Sequence, residues 1–290
     1  MFKKLSYYLP GVGESWLLAL LLLAGNFVAS ALAIVLSLAF ASVITPAEFN
    51  IYFLPVSYLI TMLFPLLFAI NRGKKALLRN SIHSSRNIPV DSNNFGKTGW
   101  VLSALLLAIM TICASLVMDP LNSIMPEPWE WVKQSLEMLV NAPKAVAIVT
   151  TVILAPLLEE LLCRGIILRG MLKHTSSFMA IFWSALIFAV IHLNPFQAVP
   201  AFLLGILMGW VYYKTGSLKL TILMHFTNNL LSMLISWYFP MASTTDSFKD
   251  ILPPDTYWAV TGGGALVLIL GLVILGNSWK GMNVIRNSRH

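Results

Sequence analysis

Charged residues and cysteines are both scarce in this chain. Only 11% of its 290 residues are charged, whereas a soluble globular domain carries about 25%. The two cysteines, Cys113 and Cys163, lie in apolar runs, so the sequence has neither a disulfide framework nor a CxxC metal pattern. The low charge argues against an ordinary soluble domain. Membrane topology explains the net charge of +7 better than a nucleic-acid partner does.

Several catalytic signatures are also missing. The sequence has no HExxH motif, which excludes a zincin-like intramembrane protease. It has no GxSxG motif, which argues against a serine nucleophile on a strand-to-helix turn. No predicted span contains an aspartate, so an aspartyl dyad is excluded as well.

Long apolar runs are what the sequence has in abundance. Hydrophobic residues make up 58% of the chain, and eight segments can cross a bilayer, at about 20 residues each. We predict an all-α polytopic membrane protein, a single membrane domain over residues 1–290, with about eight transmembrane helices around an interior polar cavity. The first run is too long for a signal-peptide core of about 7–15 residues, so we interpret it as a retained span. The predicted spans are 16–43, 51–70, 99–118, 145–167, 177–192, 196–213, 218–238 and 257–275.

The basic residues predict the orientation of these spans. With the N-terminus in the cytoplasm, all of the 19 basic residues except Lys133, Lys144 and Lys249 fall in cytoplasmic segments. This asymmetry predicts a multi-pass protein of the cell membrane with both termini cytoplasmic. The polar, basic segment 71–98 is expected to be a solvated connector, with a surface that binds anionic lipid as the weaker alternative. The amphipathic segment 126–140 is expected to lie on the outer interface as a lid or anchor.

Acidic residues are almost absent from the predicted spans. Only Glu159 and Glu160 lie in one, and Arg164 follows them in the sequence EELLCR. An ionisable group at membrane depth is costly unless it is paired or hydrated, so it predicts a functional site. Glu160 and Arg164 share a helical face and can form an ion pair, whereas Glu159 is rotated by about 100° into a different environment. Acid–base chemistry exploits such a difference. Alternatively, this stretch is a solvated helix end at the cytoplasmic interface.

Two histidines lie in apolar runs, and each has a partner one helical turn away. His192 ends the sequence FAVIH, and His225 precedes Asn229 in HFTNN. A lone intramembrane histidine is more often a packing residue, but here one glutamate, two histidines and an asparagine from three helices form a workable hydrolytic set. Glu159 could take a proton from a water that His192 helps to hold. His225 and Asn229 could donate hydrogen bonds to the oxyanion that develops on the scissile carbonyl.

A metal-dependent reaction is the main chemical alternative. Glu159, His192 and His225 also have the donor types of a zinc site, with water as the fourth ligand. Sequence spacing does not separate this arrangement from a water activated by glutamate alone. Covalent catalysis by Cys163 is less attractive, because no histidine lies near it in the sequence.

The three motifs together resemble those of a known family, the CAAX-processing and bacteriocin-immunity (CPBP, or Abi) intramembrane proteases. EELLCR is similar to its EExxxR motif, FAVIH to FxxxH and HFTNN to HxxxN, in the same order on successive membrane helices. The resemblance covers about residues 144–238, which would be the catalytic core. It implies an eight-span helical fold and endopeptidase activity. Glu159 would be the general base, supported by Glu160 and Arg164.

The same resemblance assigns the remaining site residues and the partners. His192 would activate water, and His225 with Asn229 would form the oxyanion site. The resemblance favours a metal-free, glutamate-activated water, so we expect no cofactor, with zinc as the alternative. The expected partners are the lipid bilayer and a membrane protein or lipidated peptide, including prenylated CAAX-type substrates, and not nucleic acid.

Two functions without hydrolysis are weaker alternatives. One is a non-catalytic bacteriocin self-immunity protein or membrane scaffold, in which Glu160 and Arg164 would be a structural pair. The other is a transporter or channel, although no pair of Gly- or Pro-interrupted spans marks inverted repeats.

The predicted depths of Glu159 and His192 do not agree with a shared site. At 1.5 Å per residue, the offset along the membrane normal would be about 10–15 Å. We therefore predict either that the fourth helix extends past Ile167 or that the fifth begins deep in the bilayer.

Overall fold

A computed structural model describes residues 2–80, 87–122, 124–125, 128–239 and 247–284. These residues form helices and no β-strand, which confirms the all-α prediction. A short 3-10 turn, Gly96–Thr98, precedes the fourth helix. In chain order the helices are α1 (Phe2–Leu5), α2 (Val12–Ala39), α3 (Pro46–Asn80), α4 (Gly99–Asn122), α5 (Glu130–Val140), α6 (Lys144–His174), α7 (Ser177–Val190), α8 (Pro195–Thr215), α9 (Leu218–Tyr238), α10 (Phe248–Ile251) and α11 (Pro254–Ser278).

Seven of the described helices are long and apolar enough to cross a membrane: α2, α3, α4, α6, α8, α9 and α11. The fifth predicted span corresponds to α7, which has only 14 residues. At 1.5 Å per residue α7 is about 21 Å long, shorter than the hydrocarbon core of about 30 Å. The protein is therefore a polytopic membrane protein in which one apolar helix is too short to span by itself.

Large apolar side chains cover the outward faces of the long helices. Phe27 on α2 is 76% exposed and Leu266 on α11 is 65% exposed. Such surfaces suit contact with lipid chains, because the bilayer rather than water is the solvent there.

Helix α6 lies at the centre of the bundle and contacts α3, α7, α8 and α9. It continues to His174, seven residues beyond the predicted end at Ile167, which confirms one of the two predicted ways to bring Glu159 and His192 closer in depth. Two stretches of α6, Ile148–Leu154 and Leu161–Leu168, are wound as π-helix around the turn that carries the glutamates. Wide π turns are rare and often lie at functional sites.

The alternative of a solvated helix end at Glu159–Arg164 is wrong. Glu160, Arg164 and Arg169 are fully buried, and Glu159 is only 9% exposed. The charge pattern predicts Arg164, Arg169 and Lys173 in a cytoplasmic segment, with the helix ending at Ile167. Since the helix continues, Arg164 and Arg169 lie inside the protein.

The prediction of a solvated connector at residues 71–98 holds only in part for the residues that the structure describes. Most of them are exposed or half-buried, but Gly73, Ile88 and Val90 are buried. Helix α3 continues to Asn80, residues 81–86 lie outside the described residues, and residues 87–98 pack across one end of the bundle. We call residues 87–98 the strap. Ile88 and Val90 of the strap are each 3% exposed, and the Tyr212 hydroxyl donates to the Val90 carbonyl at 2.8 Å.

Arg169 fastens the strap and the N-terminal segment, residues 2–10, to α6. Its guanidinium has five N–H groups, and all of its recorded partners are backbone carbonyls rather than carboxylates. These carbonyls belong to Leu5, Ser6, Tyr8, Ile88 and Gly165. Four of the five lie in the N-terminal segment or the strap, so a single side chain joins three parts of the chain.

Two features of the other end of the bundle bear on the predictions. Trp129 and Trp131, at the start of α5, are 57% and 52% exposed, whereas Val132 is buried, as an amphipathic helix requires; residues 126–127 lie outside the described residues. Helix α4 runs to Asn122 and so contains Asp119, contrary to the expectation that no span carries an aspartate. Asp119 is buried and accepts a hydrogen bond from the Ser247 hydroxyl at 2.5 Å.

Candidate active site

The ion pair predicted between Glu160 and Arg164 is present and fully buried. Arg164 Nη1 donates to Glu160 Oε1 at 2.7 Å, and Nη2 donates to the Gly205 carbonyl at 3.1 Å. The guanidinium carbon lies 4.4 Å from the centre of the Phe188 ring, in a cation–π contact. A Cβ on Gly205 would lie 3.2 Å from Ala185, so glycine lets α8 approach α7 and offer its carbonyl to the arginine. The pair is thus held by three helices.

His225 on α9 lies between the two glutamates. Its Nδ1 is 3.2 Å from Glu160 Oε1, and its Nε2 is 4.0 Å from Glu159 Oε2. The ring is buried, at 4% exposure. A carboxylate is an acceptor, so Nδ1–H donates to Glu160, which in the neutral ring leaves the lone pair of Nε2 facing Glu159. The sequence placed Glu159 and Glu160 on different faces, but the structure brings both to opposite edges of one imidazole.

Glu159 differs from Glu160 in its remaining partners. Its Oε1 accepts a hydrogen bond from the Tyr58 hydroxyl of α3 at 2.5 Å. Its Oε2 is buried and accepts no hydrogen bond from the described residues. Glu160 Oε2 likewise accepts no hydrogen bond from the described residues. The two carboxylates differ because Glu160 is ion-paired to Arg164, whereas the free oxygen of Glu159 faces an imidazole nitrogen. This asymmetry suits a general base beside a structural pair.

Asn229 lies one turn beyond His225 on α9 and connects that helix to α6. Its Nδ2 donates to the Thr151 carbonyl at 2.8 Å, within the first π-helical stretch. Its Oδ1 accepts a hydrogen bond from Asn228 at 3.1 Å. A primary amide has two N–H donors, so one N–H of Asn229 remains for another acceptor.

His192 stands apart from the other site residues. Helix α7 ends at Val190, so His192 lies in the following turn, where Leu193 has a left-handed φ of 60°, an unusual backbone conformation for a bulky residue. His192 Nδ1 is 2.7 Å from the Phe188 carbonyl. The Phe188 ring links the two histidines, with ring centroids 5.1 Å from His192 and 5.4 Å from His225.

The donor set expected for zinc is not gathered around one point. Among the residues that the structure describes, no three His, Cys, Asp or Glu side chains are arranged to hold a metal ion. His192 Nδ1 is hydrogen-bonded to the Phe188 carbonyl, and His225 Nδ1 is hydrogen-bonded to Glu160. We therefore derive no step through zinc, and the metal dependence stays a prediction for experiment.

An open apolar groove of about 410 Å³ lies between α4, α6 and α9. Lys219 is the charged residue in its lining. Pro156 and Leu157 lie within three residues of Glu159 on α6, and Leu223 and Phe226 lie within two residues of His225 on α9, but the described lining includes neither Glu159 nor His225. The residues of α6 and α9 that line it include Val152, Pro156, Leu157, Lys219, Leu223 and Phe226.

Three contributors to the site were missed from the sequence. Tyr58 is an aromatic residue in an apolar run, and neither Thr151 nor Gly205 belongs to a polar motif. Tyr58 reaches the site from α3, and Gly205 contributes only a backbone carbonyl. The sequence holds no local signal for any of them, because each acts through a partner more than 40 residues away.

Comparison with known families bears on the same residues. Residues 141–231 match the family model of the Rce1-like proteins, described as type II CAAX prenyl endopeptidase Rce1-like. This part of the chain is therefore similar to the CAAX protease (CPBP) family. No match to the chain was found among curated proteins or among solved structures. The matched part overlaps the predicted core 144–238 and contains Glu159, Glu160, Arg164, His192, His225 and Asn229, whereas α2, α3, α4 and α11 lie outside it.

Proposed function

We propose that this protein is an intramembrane endopeptidase in which Glu159 activates the attacking water. The family match supports a membrane peptidase in general terms. The observation that carries the role of Glu159 is the 4.0 Å distance between its free Oε2 and His225 Nε2. This distance is too long for a direct hydrogen bond, but one water can bond to both atoms at about 2.8 Å each.

In the proposed reaction Glu159 first accepts a proton and later donates it. Oε2 takes a proton from the water as the water oxygen bonds to the scissile carbonyl carbon. The resulting tetrahedral oxyanion collapses, the C–N bond breaks, and Glu159 returns the proton to the leaving amine. His225 Nε2 faces the same point and orients the water, while Glu160 holds the imidazole through Nδ1.

The oxyanion and water contacts follow from the remaining donors. Asn229 donates one amide N–H to the Thr151 carbonyl, and we assign its other amide N–H to the developing oxyanion. His225 adds a second donor to the oxyanion when its Nε2 also carries a proton, as in the imidazolium. His192 Nδ1 is fixed by the Phe188 carbonyl. Its Nε2 is then the ring atom that can meet water or substrate.

The proposed substrates are membrane proteins or lipidated peptides. The family description names CAAX prenyl substrates, so a prenylated peptide that ends in a CAAX sequence is the first to test. The open apolar groove between α4, α6 and α9 supports a substrate with an apolar, membrane-embedded part.

We propose that the protein lies in the cell membrane with both ends in the cytoplasm. The N-terminal segment and the end of α11 both meet the strap: Arg169 joins Leu5 to Ile88, and Trp279 donates to the Phe95 carbonyl at 2.9 Å. Both therefore lie at one end of the bundle, the basic end. A cysteine introduced at Lys4 should be labelled from the cytoplasmic side of the membrane, and one at Glu130 from the outer side. Labelling of both from the same side would contradict this topology.

Replacing Glu159 with glutamine tests the proposed function. Glutamine keeps the shape of the side chain but does not accept the proton of water. We expect kcat to fall by about 10²–10⁴-fold while Tm stays unchanged. The measurement is cleavage of a panel of fluorogenic peptides, prenylated and unprenylated, by the purified protein in liposomes.

The matched control is Glu130→Gln, since Glu130 is an exposed acid on α5 and should not affect the rate. Full activity of Glu159→Gln would contradict the role of Glu159. Loss of wild-type cleavage on chelation, with restoration by zinc, would favour the metal alternative instead. No cleavage of any peptide by the wild type would favour a non-catalytic function.

A further inference from the structure

The hydrogen bond from Tyr58 to Glu159 comes from outside the part of the chain that matches the family. Tyr58 lies on α3, whereas the match covers residues 141–231. At 2.5 Å, the distance is within the range of about 2.5–2.7 Å for a hydroxyl that donates to a carboxylate. The contact joins α3 to α6, 101 residues further along the chain.

This contact fixes the orientation of the Glu159 carboxylate and therefore which of its oxygens faces His225. The terminal torsion of a glutamate is broad and roughly two-fold, so a free carboxylate would not keep one oxygen aimed at one point. With Oε1 held by Tyr58, Oε2 is left facing His225 Nε2 at 4.0 Å. The phenol therefore fixes the orientation that the proposed water requires.

Glu160 gives an internal comparison. Its Oε1 is held by Arg164 and His225, both from the family-matched part of the chain. Among the described contacts, Glu159 has no such cation, and its direct hydrogen bond comes from Tyr58. The reactive carboxylate is thus oriented by α3, and the neighbouring carboxylate by α6 and α9.

We propose that Tyr58 is the positioning residue of Glu159, and that α3 therefore completes the active site. This inference rests on the proposed function. A misplacement of about 1 Å in an active site costs as much as 10²-fold in rate, so losing the phenol hydroxyl should affect kcat rather than substrate binding.

The test is Tyr58→Phe, which removes only the hydroxyl. We expect kcat for a farnesylated CAAX peptide to fall about 10–100-fold, with KM within about two-fold of wild type. Tyr52→Phe is the matched control, because Tyr52 lies on the same helix and is 58% exposed. In the Glu159→Gln background, Tyr58→Phe should cause no further loss of rate. An unchanged kcat, or a change in KM alone, would overturn the proposal.

A second measurement needs no substrate. Tyr58→Phe leaves a buried carboxylate oxygen without its donor, so Tm should fall by about 2–4 °C. The same change in a Glu159→Leu background should leave Tm unaffected, since the acceptor is then absent. Equal shifts in both backgrounds would overturn the contact and with it the proposal. If the wild type cleaves no peptide, the proposed function fails, and the Tm cycle alone decides the role of Tyr58 toward Glu159.

Discussion

Arg164 and Arg169 lie on one helix, are both fully buried, and nevertheless belong to two different regions of the molecule. Arg164 pairs with the Glu160 carboxylate and faces the candidate active site. Arg169 donates only to backbone carbonyls, at the end of the bundle that the strap covers. In this protein, the buried arginine with an ionisable partner lies in the candidate active site. The buried arginine whose partners are carbonyls is a structural joint.

The region around Arg169 is built by close backbone contact. A Cβ on Gly170 would lie 2.4–2.5 Å from atoms of Pro10, so only glycine lets the N-terminal segment approach α6 so closely. Tyr8 of that segment is buried, and its ring meets Phe68 of α3 edge-on, with centroids 6.3 Å apart. Around Arg169, backbone carbonyls accept the hydrogen bonds of the buried guanidinium, whereas around Arg164 the Glu160 carboxylate does so. Small residues such as Gly170 let the backbone approach closely enough.

The largest effect on stability should come from Arg169→Met. The change removes the donor for five carbonyls at once, and a single buried carbonyl without a donor costs about 1–3 kcal/mol. We expect the free energy of unfolding to fall by more than about 3 kcal/mol, with a correspondingly lower Tm in detergent. The molecules that remain folded should keep their activity, because Arg169 does not touch the site.

Lys173→Met is the control for this experiment. Lys173 lies on the same helix but is exposed, so its loss should leave Tm unchanged. A Tm for Arg169→Met equal to that of the control would show that the strap and the N-terminal segment do not depend on Arg169.

A smaller effect, and one on rate rather than stability, should come from Arg164→Lys. Lysine keeps the charge but not the planar fork that reaches both Glu160 and the Gly205 carbonyl, and it loses the stacking on Phe188. Because Glu160 also holds His225, we expect kcat to fall by about ten-fold, at the low end of acid–base contributions.

The same substitution at the other arginine sharpens the comparison. Arg169→Lys should lower Tm and leave kcat per folded molecule unchanged, whereas Arg164→Lys should lower kcat with a smaller change in Tm. If both variants changed only Tm, or both changed only kcat, the distinction between the ion pair in the candidate active site and the structural joint would be lost.

The contacts of the site that could be predicted are those between residues one helical turn apart in the sequence. The four-residue step from Glu160 to Arg164 places both on one helical face, and the structure contains that pair at 2.7 Å. The four-residue step from His225 to Asn229 is equally local, but no local pattern predicts that Asn229 donates one amide N–H to the Thr151 carbonyl. Tyr58 had no local signal, because its contact depends on how α3 packs along α6.

The burial of parts of residues 87–98 and of Arg169 was not predicted, and both cases have the same physical cause. Residues 87–98 are polar in composition, which predicts solvation, but their backbone carbonyls satisfy the Tyr212 hydroxyl, the Trp279 indole and Arg169. Hydropathy counts side chains, whereas these interactions use the main chain. For the same reason Arg169 was expected among solvated basic residues.

By itself the sequence determined the membrane environment, the helical class and the candidate site residues, because apolar run length and one-turn spacing are local properties of a chain. Only the tertiary structure decided that His225 lies between the two glutamates, that α3 supplies the donor to Glu159, and that Arg169 is a joint rather than a surface charge. These features depend on distances between helices that are far apart in the chain, and such distances are set by packing of the whole bundle.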